Sequence, residues 1–523
     1  MTPRTDVIVV GSGPNGLSAA VVCAAAGLSV RVLEAQPEPG GGCRTQHLDL
    51  GVPLWHDLCS AVHPMAVASP FFQSFDLASR GVEFGFPHIS YAHPLDEGRA
   101  AVACRSLAET VAALGEHGRS DAELYRRIMA PLVDGVQAVR DLGLSDVRSV
   151  PASAFTRRGL PADVTLAARA LQLGTSAWDR TTDAPACGAL LTGVGAHANG
   201  PLPSLAAAAT ALLLGSLAHA PGWPIPTGGS RAIANAMIAD LAARGASVEC
   251  NRPVATVADL PPARTYLFDT TPWTLASVFG DMLTARYRRA VSRFRPNNGV
   301  AKVDFALRQP VPWTDSRVAA AGTVHLGGSR AQMARAEGET SAGRHSETLV
   351  MLLSQPTVVD RTRIGPGGHL PLWTYAHVPN GSDRDMTETA TRQIERFAPG
   401  FRDVVVGSRC IRASEMSSHD ANYVGGDIAA GYVSAYRIVA RPVPRWDPYR
   451  TPLPNVYLCS SSTPPGPGVH GMPGVHAARR VLARHFGIRT MPDVSPGARR
   501  QHGRDDDGVT PRFTNNGEGE SST

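Results

Sequence analysis

Apolar positions fall in two rhythms along this chain. Asp6 to Val10 (DVIVV) and Ser29 to Leu33 (SVRVL) are short, β-branched runs, the pattern of parallel strands buried on both faces. Between them Leu17 to Ala26 (LSAAVVCAAA) is small and apolar, which suits a helix lying close on that sheet, with Gly27 as its cap. From about Ala61 to Pro221 Ala- and Leu-rich helical stretches dominate, including Asp121 to Leu142 and Ala162 to Leu173. Strand–helix alternation returns from Gly222 to Gly280, with a helix Arg231 to Arg244, a strand Ser247 to Glu249 and the run YLFDTTP (Tyr266 to Pro272). Asn298 to Trp313 and Thr348 to Tyr375 predict longer strands of a second sheet, and Arg384 to Phe397 a polar-faced helix. Val404 to Phe486 ends in strand, Gly/Pro loop and helix. After Met491 the chain turns polar and Gly-rich, and disorder is expected there.

Composition narrows the class. The 523 residues are 43% hydrophobic and 18% charged, enough to bury a core in each of two to four domains at roughly 150 residues apiece. The net charge of +5 is mild and the arginines are spread out, so no nucleic-acid partner is expected. All but one of the 50 basic residues are arginine, which reads mainly as coding bias; the exception is Lys302. No stretch of eighteen apolar residues is free of charge, Gly and Pro, so no transmembrane segment is expected, although contact with a membrane surface stays open. The N-terminus lacks the features of a signal peptide, and a cytoplasmic location is expected. No two of the eight cysteines lie closer than 16 positions, which excludes CxxC metal or redox pairs and favours reduced thiols. No HxH or HExxH spacing supports a metal, and none is expected.

The chemistry starts at GSGPNG, residues 11 to 16. A GxGxxG is weak alone, but here a strand precedes it, a helix and a second strand follow, and an acid ends that strand. Gly11 permits the turn, Gly13 a close approach of backbone to pyrophosphate, and Gly16 close helix–strand packing, while the helix N-terminus offers free N–H groups to phosphate. Ser12, Pro14 and Asn15 complete that cradle. Glu34, 18 residues after Gly16 and followed by Ala35, stands where a carboxylate grips ribose hydroxyls. The expected fold class is therefore α/β, a Rossmann-type dinucleotide-binding domain with an interleaved α+β substrate domain. The expected division is 1–60, 222–297 and 404–488 for the first, 61–221 and 298–403 for the second, and a disordered tail over 489–523.

With GGGCRT added (Gly40 to Thr45), the stretch from Asp6 to Thr45 resembles the N-terminal FAD signature of the amine oxidase and phytoene desaturase superfamily. Within it the chain most resembles the desaturase-like branch that includes pyridine nucleotide-disulfide oxidoreductase domain-containing protein 2. Leu453 to Leu482 (LPNVYLCSSSTPPGPGVHGMPGVHAARRVL) resembles that branch's strand, Gly/Pro loop and helix over the flavin. The resemblance implies FAD as cofactor, bound also by Gly42, Arg44 and Thr45 in the second Gly-rich loop and by Ser461, Gly468, Val469 and Met472 at the C-terminal loop. It implies further that Gly466, Gly468, Gly471 and Gly474 let backbone pass close to the flavin. Ser460 departs from the family's usual Gly, and Ser461 or Ser462 replaces an acid that other relatives use for the ribityl hydroxyls. Gly222 to Val254 resembles the segment that returns to the FAD domain, with Val254 at the adenine.

The stretch GVAKVDFALRQPVPW (Gly299 to Trp313) resembles the amine oxidase segment whose lysine holds a water at the flavin, which makes Lys302 the leading catalytic candidate. Period two puts it on the face of Asp304 and Ala306, opposite Val303 and Phe305. His470, inside the flavin loop, is the second candidate. His56, His63 and His197 are expected as hydrogen-bonded structural residues, and Trp55, Trp178, Trp223 and Trp373 mainly as core. There is neither a second dinucleotide fingerprint nor a paired-carboxylate or Ser/His/Asp arrangement. The expected activity is that of an FAD-dependent oxidoreductase, a phytoene desaturase-like dehydrogenase or oxidase that moves hydride from a C–H bond of a mostly apolar or amine-bearing small molecule to flavin. A flavin-dependent isomerase, or a non-catalytic lipid- or prenyl-binding protein on the same fold, is the alternative. Substrate, electron acceptor and oligomeric state are not legible.

Overall fold

The computed structural model describes residues 5–146, 156–157 and 159–498. The chain opens with β1 (Thr5–Val10), α1 (Pro14–Ala25) and β2 (Val30–Leu33). Strands β3 (Ile89–Pro94) and β4 (Ala100–Cys104) precede the helices α2 (Arg119–Asp134), α3 (Val136–Gly143), α4 (Gly159–Leu173), α5 (Pro185–Gly195) and α6 (Leu205–Ala218). Then come α7 (Arg231–Ala243), β5 (Ser247–Glu249) and β6 (Ala263–Phe268). After these, β7 (Gly299–Leu307), β8 (Ala321–Leu326), β9 (Met351–Ser354), β10 (Leu370–Val378), α8 (Thr387–Glu395) and β11 (Val405–Ile411) follow, and β12 (Val456–Leu458) and α9 (Met472–His485) close the chain. Among the described residues no helix is long and apolar enough to cross a membrane.

The first sheet is parallel, in the order β12-β6-β1-β2-β5, and draws strands from three separated stretches of sequence. Its centre explains the unbroken apolar run. Val7 and Val9 enter the core shared with α1, α7 and α9, while Ile8 and Val10 enter the one on the opposite face. The small residues of α1 bring it close to α9: Ser18 donates its hydroxyl to the carbonyl of Gly471 (2.7 Å), and a Cβ on Gly474 would stand 1.9 Å from the carbonyl oxygen of Asn15. Gly474 therefore serves helix–helix contact rather than room for a cofactor. A methyl there would push two helix backbones apart.

The second sheet runs β11-β7-β10-β9-β8-β3-β4, antiparallel except between β8 and β3. Its two faces differ in character. Val303, Phe305, Leu372 and Ala376 pack outward with Ile394, Phe397 and Phe401. The opposite, inner face carries Lys302 and Asp304, opposite Tyr375 and Trp373 on β10, followed by Leu352 and Ser354 on β9 and Thr323 and His325 on β8. Tyr91, Ala101 and Ala103 carry this face on to Ile128, Leu190 and Leu212 of the helical segment.

Three boundaries differ from expectation. Residues 405–411, expected in the dinucleotide-binding domain, form the edge strand β11 beside β7. A run such as VVVGSRCI fits either sheet, and only the pairing decides. Ala66, Phe71, Phe72 and Phe75, expected in the substrate domain, join the core under α1. The helix expected over Asp121 to Leu142 is broken at Gly135. The segment beyond 489 is a further correction as far as residue 498: Val494 is buried in the core of the first sheet, and its carbonyl accepts from Arg80 Nη2 (2.9 Å). Residues 499–523 lie outside the described residues. A chain truncated after Arg489 is accordingly expected to lose about 1–3 kcal/mol of stability, the contribution of one buried valine. Chemical denaturation of the truncated and full chains measures it, and equal midpoints would show that Val494 contributes nothing.

Candidate active site

The first sheet delivers its strand ends to one place. The chain leaves β1 at Gly11, whose φ of +97° a side chain would oppose, and its N–H donates to Leu33 O (2.8 Å). Ser12 donates its N–H (2.9 Å) and hydroxyl (2.5 Å) to Glu34 Oε2, while Oε1 accepts the N–H of Gln36 (2.8 Å). The hydroxyl of Ser12 accepts from Gly40 N–H (3.1 Å) and so ties the second Gly-rich loop to the first. Gly13 caps α1 without a side-chain hydrogen bond. The first turn of α1 therefore presents backbone N–H groups, as an anion-binding helix start requires.

One of those N–H groups is already taken, by a residue that sequence reasoning missed. Asp269, just past the end of β6, accepts from Gly16 N–H (2.8 Å) through Oδ2, and a Cβ on Gly13 would lie 2.6 Å from the same oxygen. Burial pushes its carboxyl up to about 8; the Gly16 N–H offsets this in part, and Asp420 and Glu34 add to it. Asp420, half-buried and likewise raised by desolvation, lies beside it, and Asn422 ties the two regions by accepting Thr271 N–H (2.8 Å). The signal was in the sequence: LFDTTP ends a strand beside β1, and residues at the carboxyl ends of parallel strands face the ligand crevice.

A cavity of about 670 Å³ begins at this cradle and continues between the second sheet and the helices. Gly13, Pro14, Asn15, Gly42, Ser461, Gly468 and Val469 line it, as do Asp269, Asp420 and Arg441. Its far part is apolar, with Val62, Leu166, Ala209, Leu213, Trp223 and Leu352 among its walls. Its size is that of a ligand site. His63 and His197 also line it, and burial holds both neutral, at about 4 and about 3.

Other expected site residues lie elsewhere. The Thr45 hydroxyl donates to Asp57 (2.7 Å), which also accepts from Ser230 N–H and pairs with the buried Arg363 (3.1 Å). Thr45 thus sits in an internal network rather than at the cradle. Arg44 is buried, with its Nε on Gly41 O (3.0 Å) and Nη2 on His419 O, which braces the second Gly-rich loop. Met472 opens α9. Ala35 is exposed beside Glu34, and Val254 follows the segment in which Arg252 N–H meets Glu34 O (2.8 Å). Neither lines the cavity.

The two catalytic candidates are also not cavity-lining. His470 Nδ1 accepts the N–H of Met472 (3.2 Å) and burial holds the ring neutral, at about 4, so it braces the start of α9. Lys302 is buried and its ammonium donates to Asp304, which accepts from His56 Nδ1 (3.0 Å) on its other oxygen. Burial alone would raise the Asp304 carboxyl, but Lys302 and His56 outweigh it and hold it below its usual range. Lys302 thus stands committed to a partner. Of the histidines, His56 belongs to this cluster; of the tryptophans, Trp223 and Trp373 reach the cavity. Among the described residues His88, Cys104 and Glu109 are grouped closely enough to hold a metal ion, but none of them lines the cavity.

Fold and cradle together define an enzyme of the oxidoreductase class built on a Rossmann-type dinucleotide-binding domain. Residues 9–75 match the family model of an NAD(P)-binding Rossmann-like domain. The chain is homologous to pyridine nucleotide-disulfide oxidoreductase domain-containing protein 2 of Rattus norvegicus, with 24% identity over 550 residues, 92% of this chain and 94% of the relative. A stretch of 44 residues, 8% of this chain and 9% of the relative, is 54% identical to hydroxyneurosporene desaturase of Rhodobacter capsulatus. Cyclohexylamine oxidase from Brevibacterium oxydans shares the fold, with a TM-score of 0.57 and 13% identity over 93% of this chain and 100% of that one.

Two single variants and one double variant test these electrostatics. Lys302→Met leaves the Asp304 carboxylate buried without its cation and is expected to cost about 3–5 kcal/mol; adding Asp304→Leu should return much of that. Equal stability of parent and single variant by denaturation would show that the pair contributes nothing. Asp269 has a folded-state pKa raised above its unfolded value, so it binds its proton more tightly when folded. Its contribution is complete below about pH 4 and fades as pH rises through about 8. Asp269→Asn keeps an acceptor for Gly16 and should flatten the fall in melting temperature across that window. A variant whose melting temperature falls as steeply as the parent's would refute the assignment.

Proposed function

We propose that this chain is an FAD-dependent oxidoreductase that removes hydride from a C–H bond of a mostly apolar or amine-bearing small molecule. The observation that carries the reading is the single cavity that joins the helix-start cradle to an apolar chamber. The cradle fits a dinucleotide. Gly13, Pro14 and Asn15 line it at an uncapped helix start, and Asn15 Oδ1 is buried there without a hydrogen-bond partner. Glu34 uses three of its roughly four acceptor positions on Ser12 and Gln36, which leaves one for a ribose hydroxyl.

In this reading the N-terminus of α1 holds the pyrophosphate, Glu34 the ribose and the main chain at Val254 the adenine. Ser461, Gly468 and Val469 border the ring end, with Met472 at the N-terminus of α9 behind them. Bound FAD supplies the hydride acceptor. The protein supplies position and dryness: Leu213, Leu352 and Trp223 exclude water from the substrate, which strengthens every dipole aimed at it. A neutral Asp269 fits beside a pyrophosphate, because a protonated carboxyl donates to phosphate rather than repelling it. Lys302, held by Asp304, acts as a positioning charge behind the chamber wall.

The purified protein is expected to be yellow and to release FAD, not FMN, on denaturation. Apolar candidate substrates should bleach it anaerobically, and NADPH should not do so rapidly. A colourless protein that cannot be reconstituted with FAD would sink the reading, and fast stoichiometric bleaching by NADPH would reveal a second nucleotide site.

A further inference from the structure

The polar groups on the inner face of the second sheet are nearly all paired within the protein. Lys302, Asp304 and His56 hold one another, His325 Nε2 meets His197 Nε2 (3.0 Å), His377 Nδ1 meets Glu337, and the Tyr91 hydroxyl meets that of Tyr125 (3.3 Å). His56, His325 and His377 each pair one ring nitrogen and leave the other open, whereas in one row no side-chain polar atom has a partner at all. Thr323 on β8, Ser354 on β9 and Trp373 on β10 are direct cross-strand partners, Thr323 with Ser354 and Ser354 with Trp373. Direct partners share a face about 5 Å apart, so the three side chains stand in line across three strands.

All three are more than nine-tenths buried, at 4%, 1% and 7% exposure, and all three line the cavity. Thr323 Oγ1, Ser354 Oγ and Trp373 Nε1 are each without a hydrogen-bond partner. Buried polar atoms are normally satisfied, so three adjacent exceptions facing one cavity point to partners that the cavity's contents supply. We infer that this row anchors the substrate through a neutral oxygen, a hydroxyl or carbonyl on an otherwise apolar molecule. The inference rests on reading the cavity as a substrate site.

The donor inventory selects that chemistry. An indole N–H only donates, and the two hydroxyls both donate and accept. An ammonium only donates, so it leaves the Trp373 N–H unpaired. The nearest carboxylate in the register, Asp304, is already held by Lys302 and His56. A carboxylate would find Lys302 as its nearby cation, 5.8 Å from the Trp373 ring centre, but that ammonium is already paired with Asp304, so the added charge would be buried uncompensated. A carbonyl oxygen accepts from Trp373 and Ser354 together, and a hydroxyl accepts from one and donates to the other. Within the mostly apolar or amine-bearing class, the row therefore favours the neutral oxygenated members.

Calorimetry on the FAD-loaded protein with octanol, methyl hexyl ketone, octylamine and octanoate tests this. The alcohol and ketone are expected to bind at least roughly three- to tenfold more tightly than the amine and the acid, the factor for one net hydrogen bond. Ser354→Ala with Thr323→Val should weaken the alcohol and ketone by a similar factor and leave octylamine unchanged. Trp373→Phe, which keeps the ring and removes the donor, should weaken the ketone. Octylamine binding as tightly as octanol to the parent, or an unchanged ranking in folded variants, overturns the inference. Should the double variant not fold, the parent ranking and Trp373→Phe still decide. A colourless protein that nevertheless ranks octanol over octylamine supports the row and sinks the oxidoreductase reading; a yellow protein without the ranking does the reverse.

Discussion

Everything in this molecule hangs on how closely backbone meets backbone at the start of α1. Helix α9 crosses there with less than a methyl's clearance at Gly474, β6 ends there with the Asp269 carboxyl on the N–H of Gly16, and β2 ends there with Glu34 on Ser12. Three distant parts of the chain converge on one turn, so its N–H groups and the beginning of the cavity are fixed by the same contacts that hold the first sheet together. In the proposed reading binding and folding share these residues, so a change at Gly474 or Ser12 would strain both.

The second sheet solves a different problem. One face is an ordinary apolar core against α8, and the other carries an unusual density of polar side chains beneath a largely apolar chamber. Burying the charged groups is tolerable because they satisfy one another: the Lys302–Asp304–His56 cluster is a low-dielectric ion pair with its own hydrogen bonds, and His63 and His197, which line the cavity, are held neutral by burial. Such a wall gives shape and polarity without free charge. Arg441, buried and bordering the cradle end, is the arginine among the cavity walls; its Nη2 donates to the Ala429 carbonyl (3.0 Å). The cavity is thus polar and charged at the cradle and close to neutral in the chamber.

The first sheet, its Gly-rich turn and the acid at the end of β2 were legible in the sequence because their signals are local. A β-branched run, three glycines at fixed spacing and an acid 18 residues on are set by φ, by close approach and by the length of one helix. The same holds for the strand period that put Lys302 and Asp304 on one face. What the sequence did not yield was who faces whom across long separations. Asp269 reaches Gly16 over 253 residues, and His56 reaches Asp304 over 248. Thr45 carries the right residue type beside the right motif, yet Asp57, twelve residues on across a strand pair, claims its hydroxyl first. Backbone conformation is written in consecutive residues and can be read from them. Satisfaction of a buried polar atom depends on which partner arrives in space, and only the assembled structure decides that.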